Sequence, residues 1–128
     1  MKKLLMSLLA TVCLLGTTAT FAAATAPKSV IHVVTVAFKP DATAAQVQAA
    51  IDGVQALPAS FKGITRVWTK AIKIQNAKGA EVPKTHVFVM EFASEAALKE
   101  YSGSPAQKAW YKAYEPIRLT STTFDITN

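Results

Sequence analysis

Two histidines, His32 and His86, are the residues of this sequence best suited to moving protons. Imidazole titrates near neutrality, so it can serve as acid, base or hydrogen-bond partner. The two sit in matching surroundings. His32-Val33-Val34-Thr35-Val36-Ala37-Phe38 and His86-Val87-Phe88-Val89-Met90-Glu91-Phe92 each carry a phenylalanine six residues after the histidine. A structural role is equally open, with each imidazole bonded to the other or to a backbone carbonyl inside a sheet. Zinc needs three or four protein ligands, and a carboxylate such as Glu91 falls on the opposite side of an alternating strand, so no metal site is expected. Trp110, Tyr111 and Tyr114 recur at helical spacing beside Ala109 and Ala113, which suits packing or stacking on a flat ligand. Trp68 could face the core, a subunit seam or a ligand. No serine or aspartate stands in a nucleophile motif, and the glycines form no phosphate-binding loop.

The elements that must position these groups follow from periodicity. Val30 to Phe38 is a β-branched strand closed by Pro40-Asp41, and Thr43 to Leu57 spaces Val47, Ala50, Ile51 and Val54 as a helix before Pro58. Gly63 to Ile74 reads as a second strand, Gln75 to Lys84 as a polar loop, and Thr85 to Phe92 as a third strand. Ser94 is an N-cap for a short helix reaching Tyr101; Pro105 suits the first turn of another that runs to about Tyr114 and stops at Pro116. Leu119 to Thr127 is the last strand. The order βαββαβ is the ferredoxin-like pattern, an α+β fold with an antiparallel sheet. Its first and third strands are central neighbours, so His32 and His86 are expected close together on one face with Val34, Val36, Phe38, Phe88, Met90 and Phe92. The other face carries Ile31, Val33, Thr35, Ala37, Val87 and Val89. Helices can cover only one apolar face, which predicts a homodimer that buries the second.

Around this domain, Lys2 and Lys3, the apolar run from Leu4 to Gly16 and the small residues from Thr17 to Ala26 have the form of a secretory signal. Ala22-Ala23-Ala24 predicts cleavage before Thr25, giving a signal peptide over 1–24, a domain over 25–128 and a periplasmic or secreted protein. The run from Leu4 to Leu15 falls well short of the roughly 20 residues that span a bilayer, so no stable membrane anchor is expected. Cleavage removes Cys13, the single cysteine, and with it any disulfide or thiolate ligand. It also removes two of 14 basic residues and none of the eight acidic ones. The remaining basic excess is scattered, without the run of cations and aromatics that would suit nucleic acid.

His32-Val33-Val34 with Phe38-Lys39-Pro40, Thr85-His86-Val87 with Glu91-Phe92, Leu98 to Tyr101 and Ser104-Pro105-Ala106 together resemble the stress-responsive dimeric α/β-barrel (Dabb) family, from about Val30 to about Ile126. The resemblance implies two ferredoxin-like subunits packed sheet on sheet into a barrel with the helices outside. Most members of the family have no assigned activity; the best understood relative is a plant polyketide cyclase. Its pocket carries over as histidines at His32 and His86, a tyrosine at Tyr101, and a His-Pro-Ala-His motif that here reads Ser104-Pro105-Ala106-Gln107. Gln107 thus replaces the acid/base histidine, and an amide takes up no proton near neutral pH. The expected pocket lies between helices and sheet, lined by His32, Val34, His86, Phe88, Met90 and Trp110, with Tyr101 and Gln107 at its rim. Two functions follow: a homodimer that binds a small organic ligand or is associated with stress, without catalysis, or a cofactor-free cyclase, isomerase or oxygenase that uses His32, His86 or Tyr101. No cofactor is expected, and neither histidine stands in a context that marks a haem ligand.

Overall fold

Six of the nine residues from Val30 to Phe38 are β-branched and fit a pleated, half-buried surface. In the computed structural model, which describes residues 28–75, 78–79 and 82–127, they form strand β1. Residues 1–27, including the expected signal peptide, lie outside the described residues. Helix α1 (Ala44–Gln55) begins with a reciprocal cap. The Thr43 hydroxyl accepts the Gln46 N–H at 3.2 Å, and the Gln46 side chain accepts the Thr43 N–H at 2.8 Å. The single helix expected as far as Leu57 divides, and a short helix α2 (Leu57–Ser60) follows. Pro58 has no N–H to offer the Val54 carbonyl, so the ladder restarts. Strand β2 (Ile64–Ala71) stops before Ile74 because its last pair is Ala71 with His86, the first residue of strand β3 (His86–Phe92). Ser94 caps helix α3 (Glu95–Tyr101), Ser104 caps helix α4 (Pro105–Tyr114), and a 3-10 turn over Glu115–Ile117 leads into strand β4 (Arg118–Ile126).

The strands form one antiparallel sheet in the order β2-β3-β1-β4, the ferredoxin-like arrangement. Its rows decide which side chains meet. On the helix side, one row runs Val67, Met90, His32, Asp125 and the next Thr69, Phe88, Val34, Thr123. Val36, Phe88 and Phe92 on this side are fully buried against the helices. Trp110 of α4 stacks on Tyr114 with centroids 4.6 Å apart and donates its indole N–H to the Ala50 carbonyl at 3.0 Å. Gly53 permits that approach, since a Cβ there would lie 2.9 Å from the Trp110 ring.

The histidines share the helix side but are not close. His32 pairs with Met90, whereas His86 pairs with Val36, four positions along β1. At about 3.3 Å per residue their backbones are roughly 13 Å apart. Matching positions near the starts of two antiparallel neighbours fall at opposite ends of the pair, so the sequence echo that suggested proximity in fact separates them.

Among the described residues, no helix lies over the opposite face. A continuous row crosses all four strands there, Trp68, Val89, Val33 and Phe124, with Trp68 and Phe124 44% and 49% exposed. The adjoining row holds Arg66, Glu91, Ile31 and Ile126. The Ser29 hydroxyl beside Glu91 and the Arg66 guanidinium, 2.8 Å from it, hold the Glu91 carboxyl below the usual carboxylate range. A carboxyl with a lowered folded pKa stabilises the fold above its unfolded value of about 4.3, and the contribution is lost as pH falls through the folded value. Glu91→Gln should therefore flatten the acid limb of a melting-temperature profile between about pH 5 and 3. An unchanged acid limb in the variant would show that Glu91 carries no such linkage.

Candidate functional site

The β1–β4 register makes His32 and Asp125 direct cross-strand partners. Side chains opposite each other in an antiparallel pair are near neighbours, and His32 Nδ1 lies 2.5 Å from Asp125 Oδ1. The imidazole is mostly covered, at 16% exposure, with its edge against Phe92 at 5.9 Å; the carboxylate is more open, at 39%. An ionised carboxylate accepts from Nδ1–H, which leaves the Nε2 lone pair as acceptor or base. Nε2 has no hydrogen-bond partner among the described residues.

Tyr101 closes the site from the last residue of α3. Phe61 and Phe92 hold its ring at 5.4 and 5.3 Å. Only 2% of the residue is exposed, and its hydroxyl has no hydrogen-bond partner among the described residues. Burial pushes the phenol well above its ordinary value, so it is a neutral donor. Tyr114 is buried in the same way; burial raises its phenol, while the nearby Ser121 hydroxyl and Arg118 guanidinium act in the opposite direction without meeting hydrogen-bond geometry. An unpaired buried hydroxyl costs about 1–3 kcal/mol, and a bound water or ligand atom would relieve it.

These groups surround a cavity of about 120 Å³ between sheet and helices. Its walls include His32, Val34, Met90, Tyr101, Gln107 and Trp110. A hollow of about 380 Å³ shares His32, Tyr101 and Gln107 with it and adds Asp125 and Lys99 on the outer side. Six residues grouped from the sequence are thus brought together. His86 and Phe88 line neither space. Phe88 is packed under Trp110 and Tyr114 at 5.8 and 5.7 Å. His86, at the far end of the row system, lies against Phe38 at 5.1 Å with Nδ1 2.9 Å from the Thr85 hydroxyl. Gln107 spends its carbonyl on the Gly103 N–H, at 2.6 Å, where Gly103 has φ +78°; it therefore clamps the turn between α3 and α4 as well as facing the cavity.

Sequence reasoning missed Asp125, Arg118, Ser121 and Thr123, all on β4. A signal was present, since Ser121, Thr123 and Asp125 put a polar group at every second position, and aspartate is depleted in strands.

The order of elements, the β2-β3-β1-β4 sheet and a cavity under the helices define a ferredoxin-like α+β protein with an internal pocket. Residues 30–128 match the model of the stress responsive A/B barrel domain, and the chain belongs to that family. Three solved structures show the same fold. The Arabidopsis thaliana protein At3g17210 is 21% identical, with a TM-score of 0.68 over 77% of this chain and 94% of its own. Hydroxynitrile lyase from Passiflora edulis is 17% identical, with a TM-score of 0.67 over 79% and 94%. A dimeric ferredoxin-like protein of unknown function from Thermobifida fusca is 17% identical, with a TM-score of 0.64 over 80% and 92%. No curated protein matches the chain. Among the described residues no helix is long and apolar enough to cross a membrane.

Proposed function

We propose that the protein acts outside the cytoplasm, after loss of residues 1–24, as a homodimer that binds a small organic molecule between its sheet and helices. The observation that carries this reading is the orphan, buried hydroxyl of Tyr101, a residue that lines a cavity together with the polar side chains of His32, Gln107, Arg118, Ser121 and Thr123. Apolar walls with a few convergent polar groups are the usual form of a ligand pocket. Val34, Met90 and Trp110 supply the apolar part of the wall. The dimer is supported by the uncovered apolar row on the other face and by the dimeric Thermobifida fusca neighbour. A hollow of about 600 Å³ lined by Thr35, Ile74, Leu119, Thr120 and Thr122 also opens on that side, where a second sheet would cover it.

Native mass spectrometry of protein isolated from its own source tests the three parts together. The expected spectrum shows chains that begin at Thr25, twice the chain mass, and a small retained molecule. Tyr101→Phe should weaken retention by about tenfold, since one buried hydrogen bond contributes ~1 kcal/mol or slightly more. A wild-type dimer that carries nothing would remove the ligand reading, and chains that retain Met1 would remove the export reading.

A further inference from the structure

We propose that a second ligand site lies on the open side of the sheet, where Lys84 and Thr120 hold the carboxylate of an aliphatic monocarboxylic acid of medium chain length. It lies across the sheet from the cavity described above and rests on the proposed dimer only for its roof. Hydrogen bonds at both ends of the connection between β2 and β3 position it. The Ile72 N–H donates to the Thr85 carbonyl at 2.8 Å, and the Thr85 N–H donates to the Val36 carbonyl at 2.9 Å, which pins these ends beside β1. Lys84 then reaches past β1 to β4, where its ammonium donates to the hydroxyl of Thr120, the cross-strand partner of Ala37, at 3.0 Å. Ile74, Val82 and Pro83 of the connection line the hollow of about 600 Å³ together with Leu119 of β4. That volume lies within the roughly 300–1,000 Å³ usual for small-molecule sites.

The lining selects the ligand. Among the described residues it holds one charged group, Lys84, and no carboxylate, so its field favours an anion. An ammonium has three protons, and Thr120 takes one of them. The Thr120 oxygen accepts that bond and keeps its own O–H, so ammonium and hydroxyl can each donate to one carboxylate oxygen. Lys84 is partly buried, where a charge-assisted bond is stronger than in open water. The Thr35 hydroxyl donates to the Thr122 carbonyl at 3.4 Å and is thus used inside the sheet. One cation balances one negative charge, which suits a monocarboxylate better than a dicarboxylate or a phosphate monoester. Beyond this head the wall is hydrocarbon. Ile74 and Leu119 are 40% and 46% exposed on the single chain, and an alkyl chain between them would remove apolar surface from water. A second copy seated on the open face would roof the hollow and exclude water from the head group.

Calorimetric titration of the purified protein with sodium decanoate tests the site, with sedimentation of the same samples to record the oligomeric state. Decanoate should bind, and octanoate should bind about tenfold more weakly because two fewer methylenes are buried. Lys84→Gln should weaken decanoate by about tenfold or more, while Lys84→Arg keeps most of the affinity. Decan-1-ol, the same chain without the charge, should bind the wild type about as weakly as decanoate binds Lys84→Gln. In NMR spectra, nuclear Overhauser contacts from the decanoate chain should reach the methyl groups of Ile74, Val82 and Leu119. Contacts to Val34 and Met90 instead would put the acid in the cavity beneath the helices and overturn this site. Decanoate that binds wild type and Lys84→Gln alike overturns it too. A dimer that takes no decanoate means that the second copy fills the hollow itself, which also overturns the proposal. A monomer that binds decanoate through Lys84 upholds the site and removes only its roof.

Discussion

Phe88→Ala should destabilise the domain by about 3–5 kcal/mol, the range for emptying a buried aromatic site. Phe88 occupies the middle of β3 and is fully buried. Its ring meets Trp110 and Tyr114 edge to face at 5.8 and 5.7 Å and Phe38 at 6.5 Å, so it joins α4 to the sheet. Trp110 and Tyr114 cannot collapse into the gap, because they are stacked and Trp110 is tied to the Ala50 carbonyl. Natural domains are stable by only about 5–15 kcal/mol, so the loss is a large share of the total. A melting temperature lower by roughly 15 °C or more is expected for a domain of this size. Phe88→Leu keeps most of the volume and should cost far less. A Phe88→Ala loss below about 1 kcal/mol in urea titration would mean that the core relaxes around the gap and that α4 is held by other contacts.

Val33→Lys should break the proposed homodimer. Val33 lies at the centre of the uncovered row, between Val89 and Phe124, and is only 9% exposed even in the single chain. A sheet seated on this row would close over a lysine whose stem can snorkel only past neighbouring strands. An unpaired buried charge costs about 3–5 kcal/mol, which weakens association by roughly a hundredfold to several thousandfold. The single chain should still fold, since the substitution faces away from the helix-covered core. Sedimentation velocity at micromolar concentration should show a wild-type dimer and a Val33→Lys monomer with unchanged far-ultraviolet circular dichroism. A wild-type monomer under those conditions would leave the open row without the partner proposed for it.

What could be read from the chain depended on the range of the interaction. The first strand, the Ser94 cap, Pro105 in the first turn of α4 and the end of α4 ahead of Pro116 are local, and each appears where spacing and side-chain chemistry put it. The order βαββαβ then followed, and with it the sheet. Register did not follow, because it depends on pairing between residues far apart in sequence. For that reason the two histidines, legible as a pair of echoes, were expected together and stand at opposite ends of β1 and β3. Asp125, 93 positions from His32, was not connected with it at all. Gln107 was read through the motif around it as a replaced histidine; its second task, accepting the Gly103 N–H, depends on a turn conformation that spacing alone does not reveal.

The two tryptophans divide the faces of the sheet between them. Trp110 lies at the cavity wall, 6% exposed, while Trp68 stands on the open side under the Arg66 guanidinium, 5.5 Å from the ring centroid. Because indole emission shifts with the wetness of its surroundings, the protein carries one dry and one wet fluorophore. Iodide reaches the wet one first, so its quenching reports whether a second copy has covered the sheet. The dry one answers to whatever enters beside His32, and the two processes can be followed in one cuvette without a label.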